Sequence, residues 1–202
     1  MPIHLRARRI LLVIAASIAL TTPVLAQFSD SYNFLKAVRA RDGNKVTELV
    51  TKPGSVIINT RDDKSSETAL HIVTKGRDLN WMNFLISRGA RVDLRDGQGN
   101  TALMLTSQLG FVEGAQALVA SKASVDLTNN AGETPLIRAV QLRNAAMVQL
   151  LLNAGANPAK ADTLAGLTAR DYASRDLRAA SILKLLDNAK PVKAKTFSGP
   201  KL

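Results

Sequence analysis

One phrase returns three times at a fixed distance, and this periodicity constrains the fold more than any other feature of the chain. Thr68, Thr101 and Thr134 follow one another at intervals of 33 residues and begin the phrases TALHIV, TALMLT and TPLIRA. A polar turn precedes each threonine, and a pair of apolar residues follows each at the same offset. A fixed period of this length is typical of solenoids. The sequence therefore predicts stacked units, each too small to bury its apolar face alone.

Each unit consists of a polar turn followed by two short predicted helices. Thr101 stands where a helix needs an N-cap, because its hydroxyl can accept a hydrogen bond from an early backbone N–H. Gly99, in the preceding turn DGQGN, can adopt the positive φ that such a turn requires. Gly89 and Gly155 are predicted to end the second helices of their units as left-handed residues.

This pattern resembles the ankyrin-repeat family, whose repeat reads approximately D-x-x-G-x-T-P-L-H-x-A and continues to a Leu-Leu pair and a Gly-Ala. Asp96, Gly99 and Thr101 match the opening, and His71 completes the T-P-L-H element of the first clear copy. The resemblance implies an all-α ankyrin-repeat solenoid of helix-turn-helix units with short hairpin-like turns. It also implies that His71 hydrogen-bonds the turn of the neighbouring repeat.

Two degenerate copies flank the three clear ones. A weaker copy with one extra turn residue contains Asp162, Gly166 and Thr168, and the segment FLKAVRARDGNKVTELV precedes the first clear copy. The resemblance spans residues 32 to 186, which corresponds to about five repeats. Degenerate end copies are expected in a stack, because one face of each terminal unit meets water.

The N-terminal segment MPIHLRARRILLVIAASIALTTPVLAQF has the three parts of a secretory signal peptide. A basic stretch is followed by an apolar run and then by modest residues that end at Ala26. Cleavage is predicted after Ala26, which places the mature protein in a bacterial periplasm or outside the cell. An uncleaved membrane anchor is the alternative. The predicted domains are a signal peptide (1–26), an ankyrin-repeat domain (27–188) and a basic disordered tail (189–202).

The positive charge is concentrated at the two ends of the chain. The net charge is +11, and residues 1–26 contribute three arginines while the tail contributes four lysines, with no acid in either segment. A net charge of +4 remains for the repeats. Because export separates the protein from the chromosome, nucleic acid is not predicted as a partner. The tail is predicted to make at most weak contact with an anionic membrane or another polyanion.

The residue types needed for catalysis or metal binding are scarce. The chain has no cysteine, and His71 is the only histidine outside the predicted signal peptide. Zinc sites need a cluster of nitrogen or sulfur ligands, and the acidic residues fall mostly in turns, where they normally cap local backbone. We therefore predict no catalytic residues, no metal, no cofactor and no enzymatic activity.

The family resemblance implies a concave groove made of hairpin tips and the exposed side of the first helices, where partners bind. Three leucines are expected to form an apolar centre within a polar rim, as protein interfaces do. The alternative is that single exposed leucines are ordinary surface residues. The predicted partner-binding residues are Gln98, Asn100, Leu105, Gln108, Leu109, Asn130, Glu133, Arg138, Gln141 and Leu142.

These features predict a non-catalytic protein–protein interaction module. We expect a monomer in the bacterial periplasm that holds an exported protein in its groove and either supports or inhibits it. Two other functions stay open at this point. In one, the protein associates with a membrane or polyanion through its basic tail, and in the other it is a secreted effector.

Overall fold

The computed structural model describes residues 22–189, with side chains from residue 30 onward. It divides into two compact units, the first ending at Thr60 and the second beginning at Arg61. Most of the predicted signal peptide (1–26) and of the predicted tail (189–202) lies outside the described residues. The proposed cleavage site after Ala26 lies within the first described helix.

Unit 1 contains a helix pair and a short 3-10 turn. Helix α1 spans Thr22–Ala40, α2 spans Gly43–Thr51 and the 3-10 turn spans Ile57–Asn59. Asp42 caps α2, because its carboxylate accepts a hydrogen bond from the backbone N–H of Lys45 at 2.9 Å. The pair buries Phe34, Val38, Val46 and Leu49.

Unit 2 consists of four further helix pairs. First helices pack beside first helices and second helices beside second helices, from each repeat to the next. Within residues 22–189 all regular elements are helical, and the predicted all-α repeat class is confirmed. The helices are α3 (Ala69–Lys75), α4 (Leu79–Ser87), α5 (Ala102–Leu109), α6 (Val112–Ala120), α7 (Pro135–Gln141), α8 (Ala145–Asn153), α9 (Ala169–Arg175) and α10 (Ala180–Asp187), and a 3-10 turn (Leu177–Ala179) leads into α10.

The repeated threonines begin the first helices as predicted. The Thr101 hydroxyl accepts from the backbone N–H of the third helical residue at 3.2 Å, and the Thr134 hydroxyl does the same at 3.2 Å. In the last repeat, Thr168 and Asp171 cap each other's backbone N–H groups. Each cap satisfies a donor that a helix end would otherwise leave without a partner.

The hairpin turns of neighbouring repeats are joined by backbone hydrogen bonds. Gly97 N–H donates to the Ser65 carbonyl at 2.8 Å, and Thr163 N–H donates to the Ala131 carbonyl at 3.2 Å. Gly132, at φ 76°, lies directly against the next turn: a Cβ there would come within 2.5 Å of the Thr163 hydroxyl and closer still to its backbone nitrogen. The turn glycines therefore allow both the local backbone conformation and the close stacking of repeats.

Leucines at matching positions form the core of unit 2. They lie in the first and second helices of successive repeats, facing the neighbouring units, and bury their side chains almost completely. These residues are Leu70, Leu85, Leu103, Leu118, Leu136 and Leu151. Among residues 22–189, no helix combines the length and the apolar composition needed to span a bilayer.

Candidate functional site

Hairpin tips and the exposed sides of α3, α5, α7 and α9 form a surface on unit 2 that we call the first-helix face. Its tips include Gln98 and Asn130, which are both exposed. Leu109 ends α5 and Leu142 follows α7, and their side chains are 38% and 48% exposed. The face thus presents apolar groups at the ends of two neighbouring first helices.

The structure places the predicted binding residues at three different depths. Half-buried residues flank the exposed ones, and two of the ten predicted residues are buried. The exposed residues are Gln98, Leu109, Asn130 and Leu142; the half-buried ones are Gln108, Glu133, Arg138 and Gln141; the buried ones are Asn100 and Leu105.

The prediction that Leu105 is exposed is wrong. Its side chain is only 4% exposed, and every residue of α5 from Ala102 to Ser107 is buried. Helix α5 packs against α3, α6 and α7, so it has neighbours on three sides. Only the end of this helix, at Gln108 and Leu109, reaches the first-helix face. Leu105 therefore belongs to the core of the stack.

The prediction that Asn100 is exposed at a hairpin tip is also wrong, since only 2% of the residue is exposed. Its side-chain amide donates to the Asp96 carboxylate at 3.3 Å and to the Gln98 side-chain oxygen at 3.2 Å. Its own side-chain oxygen accepts from Gln108 at 3.3 Å. Asn100 therefore fixes the turn and restrains Gln108, which lies on the first-helix face.

A polar network occupies the same face in the next repeat. The Arg138 guanidinium donates to the Gln141 side-chain oxygen at 2.8 Å and lies 3.4 Å from the Glu133 carboxylate. The Gln141 side-chain amide also donates to one Glu133 carboxylate oxygen at 3.3 Å. The Asn129 side-chain amide donates to the other Glu133 carboxylate oxygen at 2.8 Å. Arg138 Nε is buried and has no hydrogen-bond partner in the described part of the chain. These side chains are held in place before any partner arrives.

In the last repeat, Tyr172 donates its hydroxyl proton to the Asp162 carboxylate at 2.7 Å. This bond to the carboxylate, together with burial, raises the pKa of Tyr172. Burial alone would raise the pKa of Asp162. The backbone N–H of Ala165 and the Tyr172 hydroxyl outweigh that effect, and the pKa of Asp162 is lowered. Asp162 therefore carries its charge at neutral pH.

Comparison with known protein families agrees with the repeat architecture. A family model described as ankyrin repeats (three copies) matches residues 34–129, and a model of the single ankyrin repeat matches residues 131–163. Together the matches cover more than half of the 202 residues. The chain belongs to the ankyrin-repeat family. Ankyrin repeats generally mediate protein–protein interaction and are typically non-catalytic.

A polar cavity of about 310 Å³ lies between the hairpin tips of two ankyrin repeats on the first-helix face. It contains both signs of charge, including an ion pair between Lys75 and Glu67. The sequence pattern did not predict this cavity, because it depends on how two turns stack. Its lining residues are Lys64, Ser65, Glu67, Lys75, Asp96, Gly97 and Gln98.

A second cavity, of about 450 Å³, lies on the opposite side of the helix pairs, between the second helices α6 and α8. Its walls are mostly apolar, with Val112, Val119 and Leu150 among them, and Gln116 and Gln149 at exposed positions. This second-helix groove is the main alternative to the first-helix face as a docking surface, and the two surfaces can be tested separately.

His71 connects two ankyrin repeats, as the family resemblance implied. Its Nδ1 accepts from the Thr68 backbone N–H at 3.2 Å, and its Nε2 lies 3.0 Å from the Asn100 carbonyl. Since a carbonyl can only accept, Nε2 carries the proton and the ring is neutral. Burial lowers the pKa of His71. Both ring nitrogens are used within the fold, so His71 has a structural role.

This neutral histidine makes stability depend on pH, because the pKa of His71 is lower in the folded protein than in the unfolded chain. In the unfolded chain the histidine binds a proton near pH 6.5, whereas in the folded protein His71 is still neutral at that pH. We therefore expect the free energy of unfolding to be highest above about pH 7 and to fall on acidification, by at most about 1.4 kcal/mol per pH unit for one proton. Urea titrations at several pH values measure this slope.

One variant serves as the control for that pH series. His71→Gln should be less stable and should lose the slope. A slope that persists in the His71 variant would show that another group is responsible.

No group of three or more His, Cys, Asp or Glu side chains that could hold a metal ion occurs within residues 22–189. The acidic residues of the first-helix face are engaged in turns and in the polar network described above. The first-helix face presents restrained hydrogen-bonding groups beside exposed leucines. Such a surface is suited to recognition of another macromolecule.

Proposed function

We propose that this ankyrin-repeat protein binds another exported protein through the first-helix face of unit 2. It acts in the bacterial periplasm without catalysing a reaction, and it supports or inhibits the protein that it holds. The periplasmic location is supported by the order of basic, apolar and small residues before Ala26.

The observation that carries the proposal is the pairing of exposed leucines with restrained polar side chains. Leu109 and Leu142 occupy equivalent positions in neighbouring repeats and are 38% and 48% exposed. Gln108 and Gln141 precede them directly and are held by hydrogen bonds. Side chains that are already fixed lose little conformational entropy on association, so more of the interaction energy appears as affinity.

The test is affinity purification of partners from an envelope extract with the purified protein as bait. A Leu109→Ser/Leu142→Ser variant is expected to recover at least about tenfold less partner, because each buried leucine contributes more than about 1 kcal/mol. A Gln116→Ser/Gln149→Ser variant changes the second-helix groove instead and should recover as much as the original protein. Circular dichroism before the experiment verifies that each variant is folded.

Equal recovery by the leucine variant and the original protein would contradict a role for the first-helix face. Loss of recovery only in the Gln116/Gln149 variant would move the binding site to the second-helix groove.

A further inference from the structure

The connections between the first and second helices of successive repeats lie side by side along one edge of unit 2, which we call the corner edge. The Arg77 guanidinium lies over the Phe111 ring, 5.6 Å from the ring centre. A Cβ on Gly110 would be 3.2 Å from the Asn144 side-chain nitrogen. Each of these contacts joins the connection of one repeat to the connection of the next.

The last two connections of the corner edge are joined by charged side chains. Arg143 pairs with Asp176 at 2.9 Å, and Arg178 lies 3.3 Å from the same carboxylate. The side chains of Arg143 and Arg178 are 42% and 74% exposed, and Arg175 at the end of α9 is exposed as well. Three arginines and one aspartate give this region a net charge of +2.

Two exposed leucines lie beside these charges. Leu142 directly precedes Arg143, and Leu177 directly follows Asp176, so the ion pair between Arg143 and Asp176 brings the two leucines to the same part of the edge. We call this cluster the corner patch. Its residues are Leu142, Arg143, Arg175, Asp176, Leu177 and Arg178.

Leu177 is the most exposed apolar residue of the corner patch, at 96%. It begins the 3-10 turn that leads into α10, and the backbone of this turn is restrained. The Asp176 side chain accepts from the Arg178 backbone N–H at 3.0 Å, and the Asp176 carbonyl accepts from the Ala179 N–H at 2.8 Å. Ala179 is buried. The turn is therefore anchored to the fold while Leu177 is presented to the solvent.

An exposed leucine between arginines on a protruding edge suits the surface of a lipid bilayer. A protein partner would need a matching pocket to cover Leu177, whereas the boundary between headgroups and acyl chains admits an apolar side chain without a preformed shape. Guanidinium groups bind phosphate oxygens through paired N–H donors. Each cation near an anionic membrane strengthens binding by about fivefold.

Asp176 holds two arginines of the patch in place at neutral and mildly acidic pH. The backbone N–H of Arg178 and the side chain of Arg143 lower the pKa of Asp176 to about 2, so its carboxylate stays ionised. Because one carboxylate faces two guanidinium groups, the group keeps a net positive charge and still attracts phosphate.

We propose that the corner patch docks the protein on the surface of a membrane that contains anionic phospholipids. Leu177 enters the headgroup region, and the arginines of the patch contact lipid phosphates. This inference goes beyond the proposed function, because it concerns a lipid surface and the corner edge, not a protein and the first-helix face. Leu142 adjoins both surfaces and stays unchanged in the tests below.

A dye whose emission shifts to the blue in apolar surroundings reports lipid contact at one position. The sequence has no cysteine, so Leu177→Cys provides a single attachment site. We expect a blue shift with vesicles of phosphatidylcholine and phosphatidylglycerol, reversed by added salt, and none with phosphatidylcholine alone. Leu164→Cys is the matched control, since this leucine is 86% exposed in a hairpin tip of the same repeat, and its dye should stay in water.

Three results of the dye measurement would overturn the proposal. They are the absence of a shift at position 177, equal shifts at positions 177 and 164, and equal shifts with the anionic and the neutral vesicles.

The arginines are tested in the labelled Leu177→Cys protein. Arg143→Gln/Arg178→Gln should raise the lipid concentration at the half-maximal shift by at least about tenfold. Lys64→Gln/Lys122→Gln removes the same charge from exposed lysines elsewhere on unit 2 and should raise it by about twofold or less. Equal effects of the two variants would contradict a localised patch. Urea denaturation midpoints verify that the variants are folded.

An acidic protein is the other class of partner that a basic patch attracts. A dye at position 177 that responds to a lipid-free envelope extract but not to vesicles would show a protein contact and overturn the membrane proposal. The vesicle measurements contain no partner protein, whereas partner recovery by the Leu109/Leu142 variant tests the first-helix face. Each of the two proposals can therefore fail while the other holds.

Discussion

Replacing Gly132 with alanine is expected to lower the free energy of unfolding by about 2–5 kcal/mol. The residue has φ 76°, a left-handed conformation that costs a residue with a Cβ about 1–2 kcal/mol. The new methyl group would also lie 2.5 Å from the Thr163 hydroxyl, and the clash adds about 1–3 kcal/mol. Relieving that clash requires the hairpins to separate, which weakens the bond from Thr163 N–H to the Ala131 carbonyl. Urea titration followed by circular dichroism measures the loss.

Gly166→Ala is the matched control, since this glycine has φ 66° in the equivalent turn but no neighbouring atom within 4 Å of the position that a Cβ would occupy. Only the conformational cost of about 1–2 kcal/mol should appear there. Equal losses for the two variants would show that stacking of the hairpins contributes nothing measurable to stability.

Leu105→Ala is expected to destabilise the protein by about 2–5 kcal/mol, as large-to-small changes in a packed core do. The residue is 4% exposed within α5, which packs against three neighbouring helices. Leu109→Ala, four residues later in the same helix, removes a side chain that is 38% exposed and should cost about 1 kcal/mol or less. Urea titration of the two variants compares these losses directly.

The Leu105→Ala and Leu109→Ala variants should also differ in how much partner they recover. Leu109→Ala should weaken partner recovery while Leu105→Ala, under conditions where it is folded, should leave recovery unchanged. A small loss of stability at Leu105 together with a large loss of binding would place its side chain on the surface after all.

The parts of the fold that the sequence predicts correctly are those decided by local chemistry. Thr101 and Thr134 cap helices because a hydroxyl at that position reaches the backbone N–H of the third helical residue. Gly99 and Gly132 take positive φ because the turns require it. A fixed period then places Leu103 and its equivalents against neighbouring repeats. None of these features depends on the exact distances between repeats.

The errors in the candidate site arise where packing decides exposure. A repeat pattern treats equivalent positions alike, yet Leu105 is buried whereas Arg138, at the matching position of the next repeat, is half-buried. The position of Asn100 in a polar turn predicts an exposed tip residue. Its amide instead bonds Asp96 and Gln98 within the turn, and the residue is withdrawn from solvent.

The site residues that the sequence pattern misses depend on contacts between repeats. Arg143 pairs with Asp176, 33 residues away, and no local pattern indicates that pairing.

Photocrosslinking in intact cells tests most directly whether the first-helix face is where this ankyrin-repeat protein binds a partner. A photoreactive residue replaces either Gln108, on the first-helix face, or Gln116, on the exposed side of α6. The two positions have the same residue type and belong to the same repeat, so expression and folding are comparable. We predict a discrete crosslinked protein of the envelope at position 108 and none at position 116. A crosslink at position 116 alone, or none at position 108, would contradict the proposed binding surface.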